Sequence, residues 1–276
     1  MERGLVLELA GVAKRHGALS VLRGIDLGVR AGEAVGICGA NGSGKSTLLR
    51  IIAGVSRPSG GTVAGRPSIG YLPDRFPARQ RMSARAYLCH LGRISGLSTA
   101  EARTRAADWL DRFALTGGPD TPLRDLSKGN AQKVGLVQAV LAEPELLVLD
   151  EPWSGLDADA RAVLAEVIRE STAAGAAVVF TDHRRDVVHS LATRSHQLAG
   201  GRLELLEAET GTCRIVLRDS GTEDWAAQPG VLAVHRNRHV ELVVDVVERE
   251  SVLLRAIQRG CEVLAVDSQA REGSRS

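Results

Sequence analysis

No apolar run in this 276-residue chain is long enough to cross a bilayer. The longest, Ala173 to Phe180 with Gly175 inside it, falls far short of the ~20 residues a spanning helix needs. The start, Met1-Glu-Arg-Gly-Leu5, carries an acid at once and lacks a signal-peptide core. The expectation is a chain that does not cross a membrane by itself. Cysteine is scarce as well. Cys38, Cys89, Cys213 and Cys261 are scattered without a Cys-x-x-Cys pair, which argues against a zinc cluster or a disulfide frame and for a reduced cytosolic setting. Charge of one sign is nearly absent in excess: 35 Lys and Arg against 33 Asp and Glu leave a formal net charge of +2. No global field then draws nucleic acid or anionic lipid, and any such contact requires a local patch. Only four of the basic residues are lysines (Lys14, Lys45, Lys128, Lys133), which, with abundant Ala and Gly, fits a GC-rich genome better than a function.

What is present suffices for one large α/β domain and a small second one, since 44% of the residues are hydrophobic. Leu5, Leu7 and Leu9 alternate, as do Ile25, Leu27 and Val29, so two half-exposed strands open the chain. Pro58-Ser-Gly-Gly61 reads as a turn and Ile69-Gly-Tyr-Leu-Pro73 as a short strand. From Ser83 to Ala142 the pattern is helical, with a capping box at Ser98-Thr-Ala-Glu101 and a core-facing stripe of Ala102, Ala106, Trp109, Leu110 and Phe113. Buried strands return at Leu146 to Leu149 and Ala176 to Phe180, around a helix capped by Asp157. Strands alternating with helices predict a largely parallel sheet. A hairpin at Gly200-Gly201 closes this first domain near residue 206. Residues 212–267 predict an α+β appendage: three strands (Arg214 to Leu217, Val240 to Val246, Cys261 to Val266) around a helix with Val252, Leu253 and Ile257 inward. Residues 268–276 read as a disordered tail.

Gly39-Ala-Asn41-Gly42-Ser43-Gly44-Lys45-Ser46-Thr47 follows the apolar run Ala34 to Cys38 and opens a helical pattern at Leu48, Leu49 and Ile52. That is the setting of a phosphate-binding loop. Glycines let several backbone N–H groups turn toward one anion, and the helix adds the positive end of its dipole. Lys45 can reach β- and γ-phosphates, and the Ser46 hydroxyl can ligate Mg²⁺. Leu146-Leu-Val-Leu149 then delivers Asp150 and Glu151 at the carboxyl end of a buried strand, where an open α/β sheet binds its ligand. Asp150 suits the metal's coordination sphere, and Glu151 suits orienting or deprotonating a water at the γ-phosphate.

Leu126-Ser127-Lys-Gly129-Asn130 heads a further helix and forms a second anion-binding terminus. With it the sequence resembles the ATP-binding subunits of ABC transporters, whose signature is Leu-Ser-Gly-Gly-Gln. The resemblance covers about residues 5 to 205. It implies an α/β phosphate-loop NTPase core with a β-rich amino-terminal subdomain and a helical signature subdomain at about 83–142. Within residues 1–206, two chains would sandwich two ATP molecules, with Ser127 and the Gly129 N–H of one chain on the γ-phosphate held by the other. Ser154-Gly-Leu-Asp157 matches the D-loop, and His183 the switch histidine that contacts the γ-phosphate. For His90, His189, His196, His235 and His239, an ordinary surface or core role is expected.

The departures are specific. His16, in Lys14-Arg-His-Gly17, stands where the family stacks an aromatic on adenine. Asp74, after Tyr71-Leu-Pro73, replaces a glutamine near Mg²⁺ and the attacking water. At about 4 Å from a phosphate charge its carboxylate costs up to ~4 kcal/mol at an effective dielectric of 20. Lys128 and Asn130 replace Gly and Gln in the signature. Leu-Ser-Lys-Gly, Tyr-Leu-Pro-acid and the appendage resemble the branch that exports drugs, antibiotics or peptides (the ABC-2 type). They imply a motor subunit on the cytoplasmic face of the membrane, a homodimer, a separately encoded permease, and no nucleic-acid partner. The alternative is a soluble ABC-type ATPase acting on ribosomes or nucleic acid, for which paired domains in one chain or a long coiled coil would be expected. A metabolic phosphate-loop kinase would not need the signature or D-loop.

Overall fold

The computed structural model describes residues 4–76, 78, 80–206, 211–218 and 224–270; the start at Met1 to Arg3 and the Arg271 to Ser276 part of the expected tail lie outside the described residues. The chain divides into two compact units, Met1–Leu206 and Glu207–Ser276.

The first unit opens with two long strands, β1 (Leu5–His16) and β2 (Leu19–Arg30), paired antiparallel, followed by the fully buried β3 (Ala34–Cys38) and helix α1 (Lys45–Ile52). Strand β4 (Gly60–Ala64) then pairs with β1, giving a three-stranded sheet of order β2-β1-β4. Here the expected turn at Pro58 to Gly61 is replaced in part by a strand. Gly61 has φ +77, and a Cβ on it would lie 2.3 Å from the Gly11 carbonyl oxygen. The glycine pair thus permits close strand approach as well as a bend, and composition does not separate the two uses.

Strand β5 (Ile69–Leu72) precedes three helices: α2 (Ala84–Ile94), α3 (Thr99–Arg112) and α4 (Lys128–Val140). The capping box at the head of α3 is formed, with Ser98 Oγ accepting from Glu101 N at 3.2 Å and Glu101 Oε2 accepting from Ser98 N at 2.9 Å. Of the expected α3 stripe, Phe113 is buried, whereas Trp109 is partly exposed beneath the Arg112 guanidinium, 5.2 Å from the ring centre. The chain continues through β6 (Leu146–Leu149), α5 (Ala158–Ala173), β7 (Ala177–Asp182), α6 (Arg185–Leu191), β8 (Arg194–Ala199) and β9 (Arg202–Leu206). The main sheet has the order β5-β6-β7-β3-β8-β9; all neighbours are parallel except the closing β8–β9 hairpin.

Both faces of this sheet are covered, so its strands read as continuous apolar runs. Val35, Ile37, Val148 and Val179 meet α1 (Leu48, Leu49, Ile52) and the β1–β2 layer on one face. Cys38, Leu147, Leu149 and Phe180 meet the helical layer of α4 and α5 on the other. Each fully buried Leu or Ile contributes ~1.5–3 kcal/mol, which fixes α1 directly under the loop that precedes it. His196 on β8 is a core histidine, 7% exposed and set between β3 and β9. Burial, helped by the Arg194 charge, lowers its pKa to about 4.

The second unit is a four-stranded antiparallel sheet of order β11-β12-β10-β13, with β10 Gly211–Arg218, β11 Val231–Arg236, β12 Val240–Asp245 and β13 Glu262–Ala270, and one helix, α7 (Arg249–Gln258). Two expectations are corrected here. Ile257 is 60% exposed, and Ala256 beside Val252 is the residue α7 buries. Strand β13 runs to Ala270, paired with Gly211, past the expected boundary at 267. Strand β11 was not expected; its half-exposed edge position weakens the alternation that marks the others.

Candidate functional site

Strand β3 ends at Cys38 in the middle of the main sheet, and the chain turns at once into Gly39 to Gly44. Gly44 caps α1 at φ +108, a left-handed conformation that favours glycine, and no side chain bonds the first-turn N–H groups. The helix therefore presents free donors and its positive end to a cavity of about 530 Å³ lined by Asn41, Gly42, Gly44, Lys45, Ser46, Thr47, Val21, Asp74, Arg75 and Glu151. Gly39 and Ser43 support the loop from behind: a Cβ on Gly39 would lie 2.6 Å from the Leu198 carbonyl and 2.7 Å from Ser43 Oγ. Lys45, 5% exposed, folds back so that Nζ donates to the Gly39 carbonyl at 2.7 Å and the Ala40 carbonyl at 3.3 Å, with Glu151 Oε1 at 3.4 Å.

Asp150 and Glu151 leave β6 beside this loop. Asp150 is fully buried, and its Oδ1 accepts from Thr181 Oγ1 at 2.9 Å. Burial raises its carboxyl pKa, the Ser46 and Thr181 hydroxyls oppose that rise, and the Asp74 and Glu151 charges add to it. Its Oδ2 is buried without a hydrogen-bond partner of ordinary geometry. A buried carboxylate oxygen in that condition, next to a serine hydroxyl, is a hard-oxygen pair suited to Mg²⁺. The residues present fit the ion, with further ligands to come from water and phosphate, because no group of three or more His, Cys, Asp or Glu able to hold a metal occurs among the described residues.

Glu151 has φ +47, unusual for a residue with a side chain, and its N–H donates to Thr181 Oγ1 at 2.9 Å. It also lines a second cavity of about 270 Å³ with Trp153, Ser154, Arg161, Asp182, His183 and Arg184. His183 is therefore brought to a cavity that Glu151 also lines. Its imidazole is 62% exposed, with Nδ1 3.4 Å from Oδ1 of the buried Asp182. Asp74 stands at the mouth of the first cavity, half-exposed, with Arg75 Nε 4.0 Å from its Oδ2.

Ser127, Gly129, Asp157 and His16 do not line the phosphate-loop cavity. Ser127 caps α4, its Oγ accepting from Asn130 N at 3.2 Å, and is exposed. The start of α4 is keyed onto residues 152–157. Lys128 Nζ donates to Ser154 Oγ at 3.2 Å and Gln132 Nε2 to the Pro152 carbonyl at 3.2 Å, and a Cβ on Gly129 would meet the Gly155 carbonyl at 2.7 Å. Lys133, 5% exposed, bonds Asp157 Oδ2 at 2.9 Å and the Ala114 carbonyl at 3.2 Å. Asp157 also caps α5 through Ala160 N at 2.8 Å, and Lys133 and that N–H hold its carboxyl below the usual range. His16 ends β1, opposite Leu19 at the exposed tip of the β1–β2 hairpin.

Thr181, Asp182, Arg75 and Val21 were not anticipated. Thr181 and Asp182 carried a legible signal, being two polar residues that end an otherwise apolar buried strand. The other two carried none.

The profile of the ABC transporter family matches residues 22–154. A daunorubicin resistance ATP-binding protein of Streptomyces coeruleorubidus is 33% identical over 231 residues, 76% of this chain and 73% of that protein. The chain belongs to the ABC transporter ATP-binding family. An uncharacterized ABC transporter ATP-binding protein of Bacillus subtilis (strain 168) is 36% identical over 195 residues, 67% of this chain and 65% of that one. A Nod factor export ATP-binding protein of Azorhizobium caulinodans is 32% identical over 212 residues, 72% and 66%. The chain thus spans just under two thirds of those two relatives. Among solved structures, an ATP-binding subunit of an ABC transporter superposes with a TM-score of 0.68 at 29% identity, covering 73% of this chain and 90% of that one. A dimeric bacterial ABC transporter cassette superposes with a TM-score of 0.67 at 24% identity, covering 73% and 99%, and so shares the fold. The fold is that of the phosphate-loop NTPases, as the motif order led one to expect. No helix among the described residues is long and apolar enough to cross a membrane.

Proposed function

We propose that this chain hydrolyses ATP as the motor subunit of an ABC transporter of the exporter branch. The observation that carries the reading is the convergence on one cavity of the uncapped α1 terminus, Lys45 and Ser46 of the loop and the Glu151 carboxylate, with the buried Asp150 carboxylate beside Ser46 behind the cavity lining. Phosphates seated on the α1 N–H groups would draw Nζ of Lys45 from its own carbonyls to their charge. Ser46 and Asp150 would hold Mg²⁺, which when bound neutralises β- and γ-phosphate charge. Glu151, freed from Lys45, would orient and deprotonate the attacking water, and His183, reached from the second cavity, would contact the γ-phosphate. Asp74 would act on water near the metal, with Arg75 offsetting its charge.

Ser127 and Gly129 are exposed or half-exposed and remote from their own chain's phosphate cavity, which supports a head-to-tail homodimer in which each completes the partner's ATP site. Asp157, adjoining that surface, would sit near the junction of the two sites, and His16 would stack on adenine. Export is supported by relatives named for Nod factor export and daunorubicin resistance; a separate permease, met at the cytoplasmic face of the membrane, would complete the transporter. The deciding experiment is Glu151→Gln, which keeps the side chain's size without a base. ATP binding should persist and phosphate release should stop; rapid turnover by this variant would sink the assignment.

A further inference from the structure

Thr181 sits on β7 in register with Ile37 of β3, fully buried one residue from the end of the strand. A buried hydroxyl must find partners or destabilise the fold. Here both partners are site residues from the neighbouring strand's end: the hydroxyl donates to Asp150 Oδ1 at 2.9 Å and accepts from the Glu151 N–H at 2.9 Å. The donor and the acceptor roles are used at once, so the bond directions are fixed. With Oδ1 taken by Thr181, Oδ2 is left without a hydrogen bond of ordinary geometry, in a carboxylate that the Ser46 hydroxyl also approaches. Accepting from the Glu151 N–H restrains the backbone at φ +47, a conformation an L-residue with a side chain leaves readily unless something holds it.

We propose that the Thr181 hydroxyl is a positioning residue that sets both carboxylates at once, turning the free oxygen of Asp150 toward the metal and holding Glu151 in the left-handed turn that aims its carboxylate into the phosphate cavity. This rests on the reading of Asp150 and Glu151 given above and adds a residue no motif contains. Valine has nearly the same shape as threonine and fills the same space, so Thr181→Val removes the hydroxyl with little change in packing. Thr181→Ser keeps the hydroxyl and removes the methyl group.

The test uses the full chain and reads two quantities: phosphate release with varied ATP, and the affinity of a fluorescent ATP analogue with Mg²⁺ and with chelator. Groups that orient metal ligands typically govern activity or metal affinity by 10- to 100-fold. Thr181→Val should accordingly lower kcat by roughly that factor while KM changes less than about threefold, and it should reduce the increment in nucleotide affinity that Mg²⁺ provides, leaving affinity in chelator unchanged. Thr181→Ser should stay near the parent in both. Parent-like kcat and Mg²⁺ increment in Thr181→Val would overturn the proposal, as would a Thr181→Ser protein that loses turnover, because then the methyl group and not the hydroxyl matters. If the Val protein does not fold, the Ser arm still can overturn the proposal, by losing turnover. Glu151→Gln run alongside separates the two levels: an active Glu151→Gln refutes the underlying reading, whereas an inactive one beside an active Thr181→Val refutes only the role of Thr181.

Discussion

Acid should weaken this fold through one residue, and the size of the effect follows from where His196 lies. Its imidazole is buried between β3 and β9, and burial together with the Arg194 charge lowers its pKa to about 4. In the unfolded chain a histidine titrates near 6.5. Between those values the unfolded state binds the proton and the folded state does not, so stability falls as pH falls through the window from 6.5 toward 4. At pH 5 the solution lies about 1.5 pH units inside it, and at about 1.4 kcal/mol per unit the loss relative to pH 7 is about 2 kcal/mol. Other groups titrate as well, and the variant His196→Gln isolates this one by difference. Urea unfolding of both proteins at pH 7 and pH 5 should show the parent losing about 2 kcal/mol more than the variant, a difference of about 1 M in midpoint for a slope near 2 kcal/mol/M. Equal acid losses in the two proteins would refute the argument, since the neutral, desolvated imidazole would then not be linked to folding.

Lys45→Ala should abolish tight ATP binding, because no other lysine lines the phosphate-loop cavity; an equilibrium titration with a fluorescent analogue checks it. The Glu151→Gln protein should shift from monomer to dimer when ATP and Mg²⁺ are added, and Ser127→Arg in that background should prevent the shift, both read by light scattering. A monomer at every ATP concentration, with permease absent and present, would remove the cross-chain role of Ser127. His16→Tyr should tighten ATP roughly fivefold through a larger stacking face; unchanged affinity and unchanged preference for ATP over GTP would place His16 outside the site.

What could be read in the sequence was local. The phosphate loop, the Asp150–Glu151 pair, the capping box at Ser98 and the apolar runs each lie within a few consecutive residues, so spacing alone exposes them. Thr181 lies thirty residues beyond Glu151 and meets it only because β6 and β7 are neighbours in the sheet. Pairing order is what the linear chain conceals. Lys133 and Asp157 meet for a similar reason, across a helix and a loop. Strand β4 was hidden because glycine serves close approach and turning alike. Ile257 was misplaced because a face shifted by one residue, to Ala256, fits the same short helix nearly as well. Asp74 and Arg75 both line the expected cavity, and the Arg75 guanidinium, almost fully exposed, lies 4.0 Å from the Asp74 carboxylate, a contact that adjacency in the sequence suggests but does not fix.

The placement of the four lysines makes the chain a reporter of its own assembly. Lys45 and Lys133 are buried within hydrogen bonds, so an acylating reagent at neutral pH meets the side-chain amines of Lys14 and Lys128 first. Lys128 lies in the signature turn, on the surface that the proposed dimer would cover, while Lys14 lies on β1, bonded to the Arg57 carbonyl. The ratio of modification at those two sites, read by mass spectrometry, therefore carries an internal standard. Closure of two chains changes one amine and leaves the other as the reference, with no residue of the protein substituted.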